Sequence, residues 1–190
     1  MNMFNENLEL NNEEILKNNK RPNIAVIIQM YWVNMWYEFE DYLRNINDDY
    51  DLYVTLTFGS FANDVLSETI KKIRNFHKNA IIIIVENKGL DIGGAFMTMK
   101  WIIEHNLSYD FYLKMHSKEN DKWRKELLDP ICGTKELVNV CINLLKTPDI
   151  GMVGSKKWLI DKNSPWCLYN NAELIKFYIQ KLEYKKYNNR

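Results

Sequence analysis

A short basic segment, Lys114–Lys118 (KMHSK), carries residue types that could bind or transfer phosphate-linked groups. Lys114, His116 and Lys118 stand at alternate positions, and side chains two residues apart in a strand lie on the same side. Two ammonium groups and an imidazole could hold a diphosphate without a metal ion, or His116 could act as a general acid or base. The other interpretation is a solvated strand end with an ordinary surface histidine.

A second segment, Glu86–Gly94 (ENKGLDIGG), has the composition of a ligand-binding turn. Gly89 permits a positive φ. Gly93 and Gly94 remove side chains from a loop that leads into a helix, so that N–H groups at the start of the helix can approach an anion. Asp91 could accept hydrogen bonds from ribose or sugar hydroxyls, or cap the helix. The alternative is a plain strand-to-helix turn, since Gly and Asp are common turn residues.

Aromatic and basic side chains lie near both segments in the sequence. Tyr31 and Trp32 follow an apolar run and could stack on a nucleobase or belong to the core. Trp123 offers a flat face for a base or sugar, and Arg124 offers a planar fork for phosphate. Alternatively, Trp123 packs its helix and Arg124 pairs with an acidic residue. Neither the GxGxxG nor the GxxxxGK[ST] motif is present.

Hydrophobic patterning predicts the elements that must position these residues. Runs of strand length that are rich in apolar residues are found at Ile24–Gln29, Leu52–Phe58, Ala80–Glu86 and Tyr109–Met115, and the first of them is continuous and β-branched. Apolar residues at spacings of three and four predict helices over 35–46, 63–76, 95–105, 123–128, 134–145 and 172–184, and a further short strand is predicted over 150–153. Alternation of strands and helices predicts an α/β fold, a mostly parallel sheet with helices on both faces. In such sheets ligands bind beyond the carboxyl ends of the strands.

Composition limits the function classes and the cellular location. The 25 basic and 25 acidic residues give no net charge, whereas nucleic-acid-binding proteins usually have a basic excess, so no nucleic-acid partner is predicted. Cys132, Cys141 and Cys167 show no CxxC spacing, which favours reduced thiols in a cytoplasmic protein. There is no signal peptide and no run of roughly 18 apolar residues. We therefore predict a cytoplasmic protein without a transmembrane segment; peripheral membrane association and the oligomeric state stay open.

The distribution of apolar residues predicts one domain and one tail. Residues 1–21 are rich in Asn and Glu with few apolar residues, and we interpret them as a mobile polar tail with a short helix near Glu13–Lys17. Residues 22–190 are predicted to form a single α/β domain.

Several runs of the chain resemble the rhamnan synthesis protein F family. The runs are IAVIIQMYWVNMWYEFEDYLRNI, DLYVTLT, VENKGLDIGGAF, YDFYLKMHSKEN, WRKELLDPICGT and IGMVGS, found in the family's order over residues 22–155. The resemblance implies a GT-A-like, Rossmann-like glycosyltransferase that takes part in polysaccharide biosynthesis. Such an enzyme moves rhamnose or another hexose from a nucleotide-sugar donor to a glycan or lipid-linked acceptor. The family's Gly-Thr-Met-Phe-Trp-like segment is not found after Tyr169, which favours a truncated or divergent copy and leaves a non-catalytic nucleotide- or glycan-binding module as the alternative.

The resemblance also implies the roles of the residues in the site. Asp91 and His116 are the expected catalytic residues, with Asp91 ranked before Glu119, Asp121 and Asp129 as the base. The expected substrate-binding residues are Tyr31, Asn87, Gly89, Gly93, Gly94, Lys114, Lys118, Trp123 and Arg124. A GT-A strand usually ends in a D-x-D metal site, where this chain has KMHSK. Metal-independent transfer without a cofactor is therefore predicted, with cationic side chains stabilising the leaving diphosphate; use of a divalent cation stays open.

Overall fold

A four-stranded, all-parallel sheet lies at the centre of residues 1–155, with strand order β3-β2-β1-β4. The strands are β1 (Ile24–Met30), β2 (Tyr50–Thr57), β3 (Ile81–Val85) and β4 (Phe111–His116). β1 is a continuous, largely β-branched run that can be buried on both faces, and every residue of it is buried. β4, at the edge of the sheet, is only partly buried. The predicted strands are confirmed, with ends shifted by one or two residues.

The computed structural model describes residues 2–18, 22–159, 173, 174, 176 and 177. The chain divides into two compact units, residues 1–155 and 156–190. In the second unit the described regular structure is a 3-10 helix, Lys156–Trp158, and the four helical residues near the C-terminus. Most of the predicted helix over 172–184 lies outside the described residues, and the predicted single domain over 22–190 stays a prediction.

Helices cover both faces of the sheet, which confirms the predicted α/β, Rossmann-like arrangement. On one face, the alternate β1 residues Val26, Ile28 and Met30 form a core with α2 (Trp36–Leu43), α3 (Asn63–Phe76), α5 (Asp121–Cys132) and α6 (Lys135–Leu145). On the other face, Ala25 and Ile27 pack with α4 (Leu90–Glu104). The crossover helix thus changes face after β3, and the next strand joins the sheet on the other side of β1.

The segment interpreted as a mobile tail forms a helix, α1 (Asn2–Asn18), which lies along the outer edge of β3. Leu8 joins the core on one face of the sheet and Ile15 packs on the other. Between them, the buried Asn12 side chain donates to the Ile82 carbonyl at 2.8 Å and accepts from the Ile82 N–H at 3.2 Å. A few well-spaced residues of α1 therefore cover the backbone groups of an edge strand. The interpretation as a tail was wrong because it counted the apolar residues and did not consider their spacing.

α4 begins five residues earlier than the helix predicted over 95–105. Gly93 and Gly94 were expected in a loop before this helix and lie instead within its first turns. Propensity disfavours glycine in a helix, so the prediction placed the start after them. The physical reason for the earlier start is close packing, because the helix passes the Lys88 carbonyl and the side chains of the sheet at distances that leave no room for a Cβ.

α5 continues through Pro130, past the end of the helix predicted over 123–128. Pro130 has no N–H to donate to the carbonyl of Glu126 four residues earlier. That carbonyl accepts a hydrogen bond from the Ser155 hydroxyl at 2.7 Å, which offsets the missing helical bond.

The strand predicted over 150–153 is not formed, and residues 151–155 have no regular structure. Met152 is 87% exposed, and a Cβ at Gly151 or Gly154 would meet open space. The segment therefore buries too little apolar surface to hold a strand in place.

Candidate functional site

A cavity of about 260 Å³ opens beyond the carboxyl ends of β1 and β4. The strand order reverses between these two strands, and such a switch point is where open α/β sheets bind ligands. The predicted residues Tyr31, Asn87, Asp91, His116 and Lys118 line it. The loop after β1, the turn between β3 and α4, and the end of β4 therefore bring the two segments singled out in the sequence into one site.

A polar row of side chains forms the sheet surface beneath the start of α4. Strand register places Thr55 of β2, Gln29 of β1 and His116 of β4 side by side. Gln29 and Thr55 are buried, and the Gln29 Nε2 donates to the Leu90 carbonyl at 2.5 Å. The Gln29 Oε1 and the Thr55 Oγ1 have no hydrogen-bond partner within the described part of the chain. Gln29 and His116 of this row line the cavity, and Thr55 continues the row beneath α4, in buried surroundings where proteins seldom leave acceptors unused.

The glycines allow α4 to lie directly on this row. A Cβ at Gly94 would stand 2.6 Å from the Thr55 Oγ1 and 2.8 Å from the Gln29 Cγ. Gly89 has a φ of 76° and Leu90 a φ of 51°, so the residue that caps the helix and the first residue of the helix are both left-handed. Positive φ is uncommon for leucine and accumulates at functional sites. Gly89, Gly93 and Gly94 therefore shape the turn that presents Asp91.

Ser117 fixes the loop that follows β1. Its Oγ accepts from the N–H groups of Tyr31 and Trp32 at 2.9 and 3.0 Å, and its own N–H donates to the Gln29 carbonyl. The Tyr31 and Trp32 rings meet edge to face with centroids 5.0 Å apart. One buried hydroxyl thus holds the two aromatic residues of the cavity against the end of β4.

Asp91, His116 and Lys114 form a line of polar contacts beside the cavity. The Lys114 Nζ lies 3.0 Å from the His116 Nδ1, and the His116 Nε2 lies 3.3 Å from the Asp91 Oδ2. The Nε2–H is not well aligned with that oxygen, so the second contact is an ion-pair distance and not a complete hydrogen bond. Lys114 and His116 share a side of β4, as their period-two spacing predicts.

The surroundings keep His116 neutral. Burial, then the positive charges of Lys114 and Lys118, lower the pKa of His116 to about 4, against the opposing effect of the Asp91 carboxylate. Burial also lowers the pKa of Lys114, although its side chain still reaches solvent at the sheet edge; Asp91 opposes this effect and Lys118 adds to it. At neutral pH the imidazole is therefore a hydrogen-bonding group and not a third cation.

Lys118 and Trp123 lie together where β4 leads into α5. The Lys118 Nζ lies 4.3 Å from the centre of the Trp123 ring, a favourable cation–π distance. Asn120 caps α5, because its side-chain oxygen accepts from the Trp123 N–H at 2.8 Å. Lys118 lines the cavity, whereas Trp123 is not among the lining residues. The Trp123 ring contacts the Lys118 ammonium group and helps to hold it in place.

Arg124 supports the site and is not placed to contact a ligand. Its guanidinium is 4% exposed and pairs with Glu38 of α2 at 2.6 Å and with Asp121 at 3.0 Å. It also donates to the Lys118 carbonyl. The phosphate contact predicted for Arg124 is thereby corrected: its donors are used within the protein, as the alternative interpretation had it.

The other acidic candidates for a base are engaged elsewhere or lie outside the cavity lining. Asp121 pairs with Arg124 and with Lys125, and Asp129 accepts from the Tyr42 hydroxyl at 2.6 Å. Glu119 does not line the cavity, and Asp91 does. Position thus favours Asp91, as the ranking from sequence proposed.

A comparison with models of protein families identifies the family of this chain. The sequence model of rhamnan synthesis protein F matches residues 3–164. The chain belongs to the rhamnan synthesis protein F family. Membership confirms the resemblance and extends it beyond residues 22–155 at both ends; it suggests a role in rhamnan synthesis, a polysaccharide pathway. No curated protein and no solved structure matched the chain.

Three cavity residues of this rhamnan synthesis protein F family member were not among the predicted site residues: Gln29, Leu90 and Ser117. Trp32, for which the sequence left stacking on a nucleobase or a place in the core open, also lines the cavity. A signal existed for Gln29, because it is the polar residue that ends the buried run IAVIIQ. Ser117 stands between His116 and Lys118 in the basic segment. Its role depends on the backbone of the loop after β1, 85 or 86 residues away in sequence, and no local pattern reveals such a contact.

The described residues include neither a cluster of metal ligands nor a helix that could span a membrane. Among the described residues, no group of three or more His, Cys, Asp and Glu side chains is arranged to hold a metal ion, and metal independence stays a prediction. In the same part of the chain, every helix is too short or too polar to cross a membrane.

Proposed function

We propose that this member of the rhamnan synthesis protein F family transfers a sugar, rhamnose or another hexose, from a nucleotide-sugar donor to a glycan or lipid-linked acceptor. The observation that carries the proposal is the composition of the cavity at the switch point. Aromatic faces, an amide, a carboxylate and an ammonium group meet there, on the turns after three parallel strands. Family membership supports the choice of pathway, and the composition of the cavity supports the choice of chemistry.

The size of the cavity limits what it can enclose. Its volume of about 260 Å³ is below the roughly 300–1,000 Å³ of typical ligand pockets, so it encloses part of a nucleotide sugar. In our proposal the Tyr31 and Trp32 rings pack against a ring of the donor. Asn87 and Asp91 hydrogen-bond hydroxyl groups, and Lys118 lies near the diphosphate.

The proposed reaction needs a base and a means of stabilising the leaving group. The acceptor oxygen forms a bond to the anomeric carbon, the bond from that carbon to the diphosphate oxygen breaks, and the hydroxyl proton passes to Asp91. The nucleoside diphosphate leaves with the electrons of the broken bond, and its charge is offset by the Lys118 ammonium.

Turnover is the first expected result. Incubation with a panel of nucleotide sugars and an acceptor extract should release nucleoside diphosphate from at least one donor, and EDTA should leave the rate unchanged. Strict dependence on added Mn²⁺ would reject the metal-independent mechanism but not the transfer itself. Binding of donors without release from any of them would favour the alternative, a non-catalytic nucleotide- or glycan-binding module.

Lys118→Met is expected to weaken nucleoside diphosphate binding about tenfold, because one charge-assisted contact contributes roughly 1.5–3 kcal/mol before solvent screening reduces it. Calorimetric titration with the nucleoside diphosphate measures the effect. Lys122→Met is the matched control, because Lys122 is an exposed lysine of α5 that does not line the cavity. Equal affinities of the two variants would remove Lys118 from the site.

A further inference from the structure

We infer that Lys114 is a positioning residue: it donates to the His116 Nδ1, so that the imidazole proton lies on Nε2 and faces Asp91. In this arrangement His116 orients the carboxylate, and Asp91 takes the proton of the acceptor hydroxyl. The assignment of the base rests on the proposed function. The position of the imidazole proton does not, and it can be measured on a protein without turnover.

The first step of the argument is the hydrogen-bonding inventory of the three groups. An ammonium group only donates, so the contact of 3.0 Å between Lys114 and His116 uses the lone pair of Nδ1. A neutral imidazole has one N–H, which must then be on Nε2. That atom is the one that lies 3.3 Å from the Asp91 Oδ2. The strand spacing therefore fixes a tautomer, because Lys114 and His116 lie on the same side of β4.

The second step concerns which group can accept a proton. Both ring nitrogens of His116 are engaged, Nδ1 as an acceptor from Lys114 and Nε2 as the protonated nitrogen beside Asp91. The buried ring and its two neighbouring lysines also keep the pKa of His116 near 4, so at neutral pH the imidazolium is disfavoured. A general base needs a lone pair directed at the substrate. The Asp91 carboxylate is 37% exposed and lines the cavity, whereas His116 is 15% exposed.

The third step concerns how the fold holds Asp91 and His116 beside each other. Asp91 lies in the first turn of α4, directly after the left-handed residues Gly89 and Leu90. The Leu90 carbonyl is held by Gln29, the neighbour of His116 in the sheet register. The turn that carries Asp91 and the imidazole of His116 are therefore held by adjacent strands, β1 and β4.

The kinetic test uses an isostere that can donate but cannot take up the proton. Glutamine places its amide N–H close to the position of a histidine Nε2–H. We expect His116→Ala to lose about tenfold in kcat/KM and His116→Gln to lose less than His116→Ala, because the amide N–H can still donate to Asp91. Asp91→Asn should lose on the order of a hundredfold or more, the usual contribution of a general base. A fall in His116→Gln as large as that in Asp91→Asn would overturn the inference.

The second readout is ¹⁵N nuclear magnetic resonance of the His116 ring. The wild type and the Lys122→Met control should show an unprotonated Nδ1 and a protonated Nε2, and Lys114→Met should show both tautomers. The same tautomer populations with and without Lys114 would overturn the inference. If no nucleotide sugar is turned over but the resonances behave as expected, the arrangement stands and the proposed transfer fails.

Discussion

Replacement of Arg124 with methionine is expected to lower the free energy of unfolding by about 3 kcal/mol. The guanidinium is buried and pairs with Glu38 and Asp121, so its loss leaves the Glu38 carboxylate without its counter-charge. Breaking a buried pair from one side usually costs roughly 3–5 kcal/mol. The lower end applies here, because the Glu38 side chain is still 20% exposed and water can partly solvate it.

Urea denaturation followed by circular dichroism measures this change, and the control is Lys125→Met. Lys125 pairs with the same Asp121 carboxylate at 3.2 Å, but its side chain is 56% exposed. Exposed pairs contribute roughly 0–1 kcal/mol, so the control should differ little from the wild type. A cost for Arg124→Met no larger than that of Lys125→Met would show that Arg124 is not the anchor we describe.

A double variant separates the loss of the pair from the loss of packing. Glu38→Leu added to Arg124→Met removes the isolated carboxylate, and replacing both partners of a buried pair with apolar groups is often close to neutral. We therefore expect the double variant to regain more than half of the lost stability. Arg124 also donates to the Lys118 carbonyl, so the single variant should in addition weaken nucleoside diphosphate binding.

The contrast between Lys118 and Arg124 shows how far the sequence predicts this site. The strands follow from runs of strand length that are rich in apolar residues. Because polar residues follow these runs, the segments Glu86–Gly94 and Lys114–Lys118 could be placed at one edge of the sheet. A basic side chain near the site can either reach the cavity or pair with an acidic side chain. Contacts between residues distant in sequence decide between the two, and Arg124 pairs with Glu38, 86 residues away. Composition and spacing carry no information on that choice.

The same dependence on distant contacts explains why the polar residues at the cavity and beneath α4 were not predicted. Gln29 and Thr55 become neighbours only through the register of β1 with β2, and Ser117 acquires its role from the backbone after β1. The start of α4 was misplaced because local propensity and close packing oppose each other at its glycines. Local patterns thus predicted the elements and the edge, and tertiary contacts decided which side chains form the site.

Gly93→Ala is the second substitution for which we expect a large effect. The sign of the change in the free energy of unfolding shows whether helix propensity or close packing dominates at this position. Alanine in place of glycine within a helix should stabilise it by roughly 1 kcal/mol from propensity alone. At Gly93, however, a Cβ would stand 1.8 Å from the Lys88 carbonyl oxygen. The Lys88 carbonyl belongs to the backbone, so the turn before α4 must move. Overpacking of this kind usually costs roughly 1–3 kcal/mol, and the severity of the overlap places the expected destabilisation at about 3 kcal/mol.

The displaced turn is also the one that presents Asp91, so Gly93→Ala should abolish turnover and disturb the His116 resonances even in the folded protein. Gly151→Ala provides the comparison, because a Cβ there meets open space; it should leave stability unchanged or raise it slightly. A stabilised Gly93→Ala protein would mean that the start of α4 yields easily. The glycines would then be ordinary helix residues, and the packing of α4 on Gln29 and Thr55 would not be what holds Asp91 beside His116.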